Sequence, residues 1–275
     1  MTREPEALHE LPVIRRGVLV LGLTLVAGCT DAISYLGLGR VFTANMTGNT
    51  VLLGVAVAQR DAGAAARSAA ALGGFVLGAI VVGLAPEPTG TAGDGNGNPA
   101  AVHQPHQQKV GIGRRPGRRR RRRGLSPSVT GALVGELGLL AALLGWWSAA
   151  GSTPHGGVQD GLIALAGAAM GVQSAAVARL ALPGVATTYI TGTWTGISRG
   201  VATWLRRQGR DPTAAGRSGR GLQAAVVVVY LGGAVAGGFA HDGWGPTAAT
   251  VPLGVLGLVV VVAGIPATSA GGLAD

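Results

Sequence analysis

Charged side chains are scarce in this sequence. They make up 12% of its 275 residues, against about 25% in ordinary soluble domains. Acids are scarcer still, 12 against 22 Lys and Arg, which gives a net charge of +10. Much of the positive charge sits in one run that begins at Arg114 and ends at Arg123, so long stretches elsewhere hold almost none. Surfaces that grip nucleic acid spread their bases over a fold and interleave them with aromatics. Here aromatics are 4% and the charge is confined to linkers, so nucleic acid is not an expected partner. A single cysteine, Cys29, excludes an intrachain disulfide framework. The chain has no Walker A loop, no Gly-x-Gly-x-x-Gly after a strand, no His-Glu-x-x-His and no cysteine cluster, and its histidines lack ligand spacing. No cofactor, metal or catalytic constellation is therefore expected, and the chain does not read as an enzyme.

What the sequence has is apolar length and glycine. Hydrophobic residues reach 48%, and many of the 49 glycines lie inside apolar segments. Such glycines are costly in a soluble helix but common in membrane bundles, where small residues let backbones approach. Long apolar runs occupy residues 17–39, 68–85, 128–150, 161–182, 221–240 and 248–265. A helix of about 20 residues crosses a hydrocarbon core of about 30 Å. Two shorter segments, 47–59 and 191–205, are flanked by charge and broken by Thr-Gly pairs. The expected fold class is an all-α membrane protein with about six transmembrane helices and two short re-entrant helices. The organisation follows: a polar tail at 1–14, a first half at 15–86 with its third span at 128–150, and a disordered Arg-rich linker at 87–127 between them. A second half at 159–266 and a tail at 267–275 complete the chain.

The halves resemble each other. Leu72-Gly73-Gly74-Phe75-Val76-Leu77-Gly78 matches Leu231-Gly232-Gly233-Ala234-Val235-Ala236-Gly237, and Asn45-Met46-Thr47-Gly48-Asn49 aligns with Tyr189-Ile190-Thr191-Gly192-Thr193. Asp31 and Gln173 precede the two Thr-Gly breaks by similar distances. If both short segments spanned, the 114–123 run would fall opposite Arg15 and Arg16, against the positive-inside tendency. If both dip and return, all these basic clusters share the cytoplasm. Each half then has an odd number of spans, so the second is inserted upside down, as an inverted repeat. The expected location is a bacterial inner membrane with a cytoplasmic N-terminus. The arginine run there either contacts anionic lipid or serves as a solvated linker.

A broken helix exposes amide N–H groups and a partial positive charge. Two such ends meeting at mid-depth would form a cradle for a ligand. The candidate contacts are Asp31, Asn45, Thr47, Gly48, Asn49, Gln173, Thr191, Gly192 and Thr193, with Glu136 and Arg199 as further ion or anion contacts. Asp31 lies roughly 22 Å past Arg16 along a helix, and an acid at that depth is by default functional. The alternative is a structural carboxylate accepting hydrogen bonds from the Thr47, Gly48 and Asn49 backbone. Gln173 reads as an interhelical hydrogen-bonding residue, Arg179 as a snorkelling side chain, and the tryptophans at segment ends as interfacial anchors.

The string Gly28-Cys29-Thr30-Asp31-Ala32-Ile33-Ser34-Tyr35-Leu36, followed by Val41-Phe42-Thr43-Ala44-Asn45-Met46-Thr47-Gly48-Asn49, resembles the YoaK-like bacterial membrane proteins, a domain-of-unknown-function family. Gly171-Val172-Gln173-Ser174 and Thr187-Thr188-Tyr189-Ile190-Thr191-Gly192-Thr193 fit it too. The resemblance implies a multi-pass inner-membrane protein without an assigned substrate. The expected function is a secondary transporter or permease for a small polar or anionic solute. The alternative is a non-transporting membrane scaffold.

Overall fold

In a computed structural model, the described residues are 13–85, 127–179, 198, 202 and 214–264. Apart from short connections they are helical, and they contain no strand. Helices α1 (Val13–Gly37), α2 (Met46–Gln59), α3 (Ala62–Leu84), α4 (Pro127–Ala150) and α5 (Gly156–Arg179) are followed by α6 (Ala214–Trp244) and α7 (Thr250–Gly264), the last two joined by a 3-10 turn, Gly245–Ala249. Five stretches are long and apolar enough to cross a membrane: Arg16–Gly37, Ala62–Leu84, Pro127–Ala150, Gly156–Arg179 and Gly221–Gly264. The last is 44 residues long, enough for two passes at about 20 residues each. The chain is an integral membrane protein.

Glycine sets the packing. A Cβ on Gly74 or Gly78 of α3 would come within 3.0 Å of the backbone carbonyl of Ala164 or Ala168 on α5. In return, Gly167 and Gly171 of α5 lie equally close to the carbonyls of Ala71 and Phe75. Backbones this near need a bare Cα on at least one side, the small-x-x-x-small arrangement of membrane helices. The residue numbers rise together, so α3 and α5 run parallel. A second interface is built the same way: Gly28 of α1 lies against the Tyr230 carbonyl of α6, and Gly233 and Gly237 lie against the carbonyls of Leu25 and Cys29. α1 and α6 are therefore also parallel.

The two interfaces correspond residue for residue. Gly22, Leu25, Gly28 and Cys29 of α1 keep the spacing and the contacts of Gly161, Ala164, Gly167 and Ala168 of α5. Ala71, Gly74 and Gly78 of α3 stand as Tyr230, Gly233 and Gly237 of α6. The burial pattern of residues 73–80 is that of residues 232–239, position by position. Outside each pair lies one more helix: Gly22 meets Val259 of α7, and Gly161 meets Trp146 of α4.

Helix directions follow from these contacts. Gln173 bonds to Leu23 while Gln159 lies beside Gly39, so α5 runs against α1. Gly37 packs on Trp147 and His241, which puts the carboxyl ends of α1, α4 and α6 together. α7 returns from that end, because Val259 reaches Gly22. Arg16, Leu84, Pro127 and Arg179 thus lie at one end of the bundle, and Gly37, Ala62, Ala150 and Gly156 at the other. The 114–123 arginine run is outside the described residues, but the chain departs for it and returns from it at the Arg16 end.

α2 is the exception. Its 14 residues measure about 21 Å. Its carboxyl end joins α3 through a tight turn, in which Arg60 takes a left-handed conformation (φ 57°) and Asp61 caps α3 by accepting the Ala64 N–H at 2.9 Å. That turn is at the Gly37 end. The chain before α2 is bonded to Asp31, which lies about 9 Å inside the carboxyl end of α1. α2 therefore starts within the bundle and emerges at the end from which α1 leaves.

Candidate functional site

The residues around Asp31 assemble because α1 carries small hydroxyls along the face it turns inward. Thr24, Thr30 and Ser34 are buried, and each donates to the carbonyl four residues back, at 2.7, 2.8 and 2.6 Å. This satisfies them without a partner helix. Asp31 is 3% exposed and has no such local outlet. Its Oδ1 accepts the backbone N–H groups of Thr43 and Ala44, both at 2.6 Å, and the Thr43 hydroxyl at 3.4 Å. Its Oδ2 accepts the hydroxyl of Tyr230 on α6. Ser34 adds a 3.3 Å contact to the Thr43 hydroxyl. One carboxylate thus joins α1, the segment leading to α2, and α6.

The start of α2 is held by two asparagines. Asn45 is its N-cap and accepts the Gly48 N–H at 3.1 Å. Asn49 is fully buried; its Oδ1 accepts the Phe42 N–H at 2.9 Å and its Nδ2 donates to the Phe42 carbonyl at 2.5 Å. The amide side chain thereby pairs with both polar groups of one residue, as a strand neighbour would. Phe42 is fixed further by stacking on Tyr35, ring centroids 5.1 Å apart. Gly48 leaves room for this cluster, since a Cβ there would lie 3.0 Å from the Phe42 ring and 3.1 Å from the Asn45 amide. Thr47 is exposed.

Several sequence expectations change in detail. The structural alternative for Asp31 put it at the Thr47, Gly48 and Asn49 backbone. It reaches the segment just before α2 instead, because the chain re-enters beside it at Thr43. The amides expected to face a ligand are in part already occupied: those of Thr43 and Ala44 by Asp31, and that of Gly48 by Asn45. Gln173 is not the counterpart of Asp31. The glycine register sets Asp31, three residues after Gly28, against Met170, and sets Gln173 against Ser34. Gln173 is buried and donates to the Leu23 carbonyl at 3.0 Å, tying α5 to α1 about 12 Å from Asp31 along α1. Glu136 is buried on α4 at that second level. The expected single cradle is thus two separate polar groups in the described residues. Thr191, Gly192, Thr193 and Arg199 lie outside the described residues.

Arg179 does not snorkel. Its guanidinium donates to the carbonyls of Val82 and Ala85, the latter at 3.1 Å, and so caps α3. Trp147 is no interfacial anchor: it is fully buried against Gly37 and beside His241 of α6. Cys29 lies in mid-α1 against Gly237. Tyr230 was missed altogether. A lone hydroxyl in the run Val226-Val227-Val228-Val229-Tyr230 is the one signal that marked it. Among the described residues no three His, Cys, Asp or Glu side chains gather as a metal site.

Comparison with known proteins agrees with the membrane fold. A family model described as "Protein of unknown function (DUF1275)" matches residues 19–262. The UPF0700 transmembrane protein YoaK of Bacillus subtilis (strain 168) is 49% identical over 69 residues, which is 25% of this chain and 31% of that protein. The match thus spans about a third of the relative's length. No solved structure matches the chain.

Proposed function

Because the chain belongs to the DUF1275 family of proteins of unknown function, which hands down no activity, we propose from its geometry that it is a secondary transporter or permease for a small polar solute. The observation that carries this reading is the amino end of α2, a helix broken off inside the bundle beside a buried acid. Backbone that departs from a regular helix at membrane depth survives where protein or a water-filled cavity surrounds it, and transporters place their sites at such breaks. In this reading α2 is a re-entrant helix, and the segment with Thr191, Gly192 and Thr193 is its counterpart. The one-for-one match of the α1–α6 and α5–α3 interfaces, with α1 and α5 antiparallel, supports an inverted repeat. The basic clusters at the Arg16 end support a cytoplasmic N-terminus in a bacterial inner membrane. At that surface the 114–123 run would meet anionic lipid. An anionic solute is disfavoured at α2 itself, where Asp31 already occupies two amides. No enzymatic step enters this reading.

The saturation of Asp31 favours a second reading, in which the breaks serve packing and the protein is a membrane scaffold. Uptake of a panel of small polar solutes into proteoliposomes separates the two. The transport reading expects uptake several-fold above empty liposomes for at least one solute. It also expects loss of that uptake in Asp31→Asn with thermal stability close to wild type. No uptake by the wild type leaves the scaffold, whereas uptake unchanged in the variant keeps a transporter but removes Asp31 from its site.

A further inference from the structure

Glu136 lies on the buried stripe of α4 that also carries Val129, Leu133, Leu140, Leu143 and Trp147. It is fully buried, and neither carboxylate oxygen meets a hydrogen-bond donor. A bare carboxylate in a bilayer core is among the costliest groups a membrane protein can hold.

Its depth can be read from its neighbours. Leu137 touches Gly257 of α7, and Val259, two residues on, presses on Gly22 of α1. Glu136 is therefore level with Leu23, the residue whose carbonyl accepts the Gln173 amide at 3.0 Å. That bond orients the amide: its NH2 must face Leu23, which leaves Gln173 Oε1 turned away, buried and without a donor. Three acceptor oxygens on adjacent helices thus lie at one depth, and among the described residues none of them meets a donor.

Among the described residues no protein group supplies what is missing. The buried unpartnered nitrogens of the described residues lie at other levels, Trp147 Nε1 and His241 Nδ1 at the Gly37 end and Arg179 Nη1 beside Val82. The charged side chains of α5, Asp160 and Arg179, sit near its two ends, and neither α7 nor the 3-10 turn carries a titratable residue. On α1 the nearest, Arg16 and Cys29, are each about two helical turns from Leu23.

An excess of oxygens without donors is the chemistry of a cation site. We infer that Glu136 and Gln173 hold a small monovalent cation, H+ or Na+, between α4 and α5. A proton on Glu136 donates to Gln173 Oε1; Na+ takes the same oxygens as ligands. The site uses side chains apart from the Asp31 cluster. Equilibrium binding reads it whether or not a solute crosses, so a failed transport assay leaves it standing.

The test uses the full-length protein in nanodiscs and a hydrophobic carbodiimide, which modifies buried protonated carboxyls. Peptide mapping is expected to find the adduct on Glu136. If the cation is H+, labelling falls several-fold as pH is raised. If it is Na+, added Na+ protects several-fold while choline does not. The thermal midpoint of the wild type should shift with the same cation, and that of Glu136→Gln should not. Absence of labelling at Glu136 at every pH overturns the proposal, as does labelling indifferent to both cations, or a midpoint that shifts equally in the two proteins. Should Glu136→Gln fail to fold, labelling and protection of the wild type decide alone.

Discussion

Gly78→Leu should separate α3 from α5, and Gly73→Leu, five residues earlier on the same helix, should leave the protein essentially unchanged. A side chain at Gly78 meets the backbone carbonyl of Ala168, which cannot move without moving α5, whereas Gly73 faces open space. Overpacking usually costs about 1–3 kcal/mol; a rigid backbone obstacle puts Gly78→Leu at or beyond the top of that range. Exposed substitutions stay within about 0.5 kcal/mol. The same contrast is expected across the other interface, with Gly237→Leu disruptive and Gly232→Leu tolerated, since Gly237 abuts Cys29 and Gly232 nothing. Thermal unfolding in detergent, followed by size-exclusion profiles before and after heating, measures all four. Equal effects of Gly73→Leu and Gly78→Leu would mean that α3 and α5 do not meet as described.

Asp31→Ala is expected to be the most damaging single truncation of a polar side chain. It strips acceptors from two backbone N–H groups and the Tyr230 hydroxyl. Each buried group left without a partner costs about 1–3 kcal/mol. Asp31→Asn keeps an oxygen for the Thr43 and Ala44 amides, and its NH2 can donate to the Tyr230 oxygen. Its loss should be a small fraction of the loss in Asp31→Ala. Tyr230→Phe, which removes one bond and leaves Oδ2 unpaired, should fall between them. Midpoints of thermal unfolding in one detergent give the order. If Asp31→Asn proved as damaging as Asp31→Ala, the charge itself, rather than its acceptor geometry, would hold the site together.

The sequence made the membrane spans legible because apolarity and length are local properties. The six long runs reappear as α1, α3, α4, α5, α6 and α7 with modest shifts at their ends. The start of α2 was legible to within a residue from the Thr47-Gly48 break, whereas the capping role of Asn45 emerges only in the fold. The Leu-Gly-Gly repeat marked the two helices that carry the interfaces. It did not reveal their partners, because what faces Gly74 or Gly233 is a backbone carbonyl, and a carbonyl leaves no residue-specific trace. The same limit explains the misplaced correspondence of Gln173 with Asp31. It was drawn from distance to a Thr-Gly pair, whereas the glycine contacts fix a register in which Gln173 stands against Ser34. Arg179, Trp147 and Tyr230 were misread or missed because each acts across the bundle. Tyr230 meets Asp31 across 199 positions of sequence.

The side of the membrane on which α2 ends distinguishes a helix that dips and returns from one that crosses. Three single cysteines in a Cys29→Ala background test this: Glu6→Cys before α1, Ala62→Cys after α2, and Arg118→Cys between α3 and α4. An impermeant maleimide should label Ala62→Cys on intact cells, and Glu6→Cys and Arg118→Cys only after permeabilisation. If Glu6→Cys and Ala62→Cys reacted from the same side, with Arg118→Cys opposite, α2 would cross the bilayer and the broken-helix site would not exist.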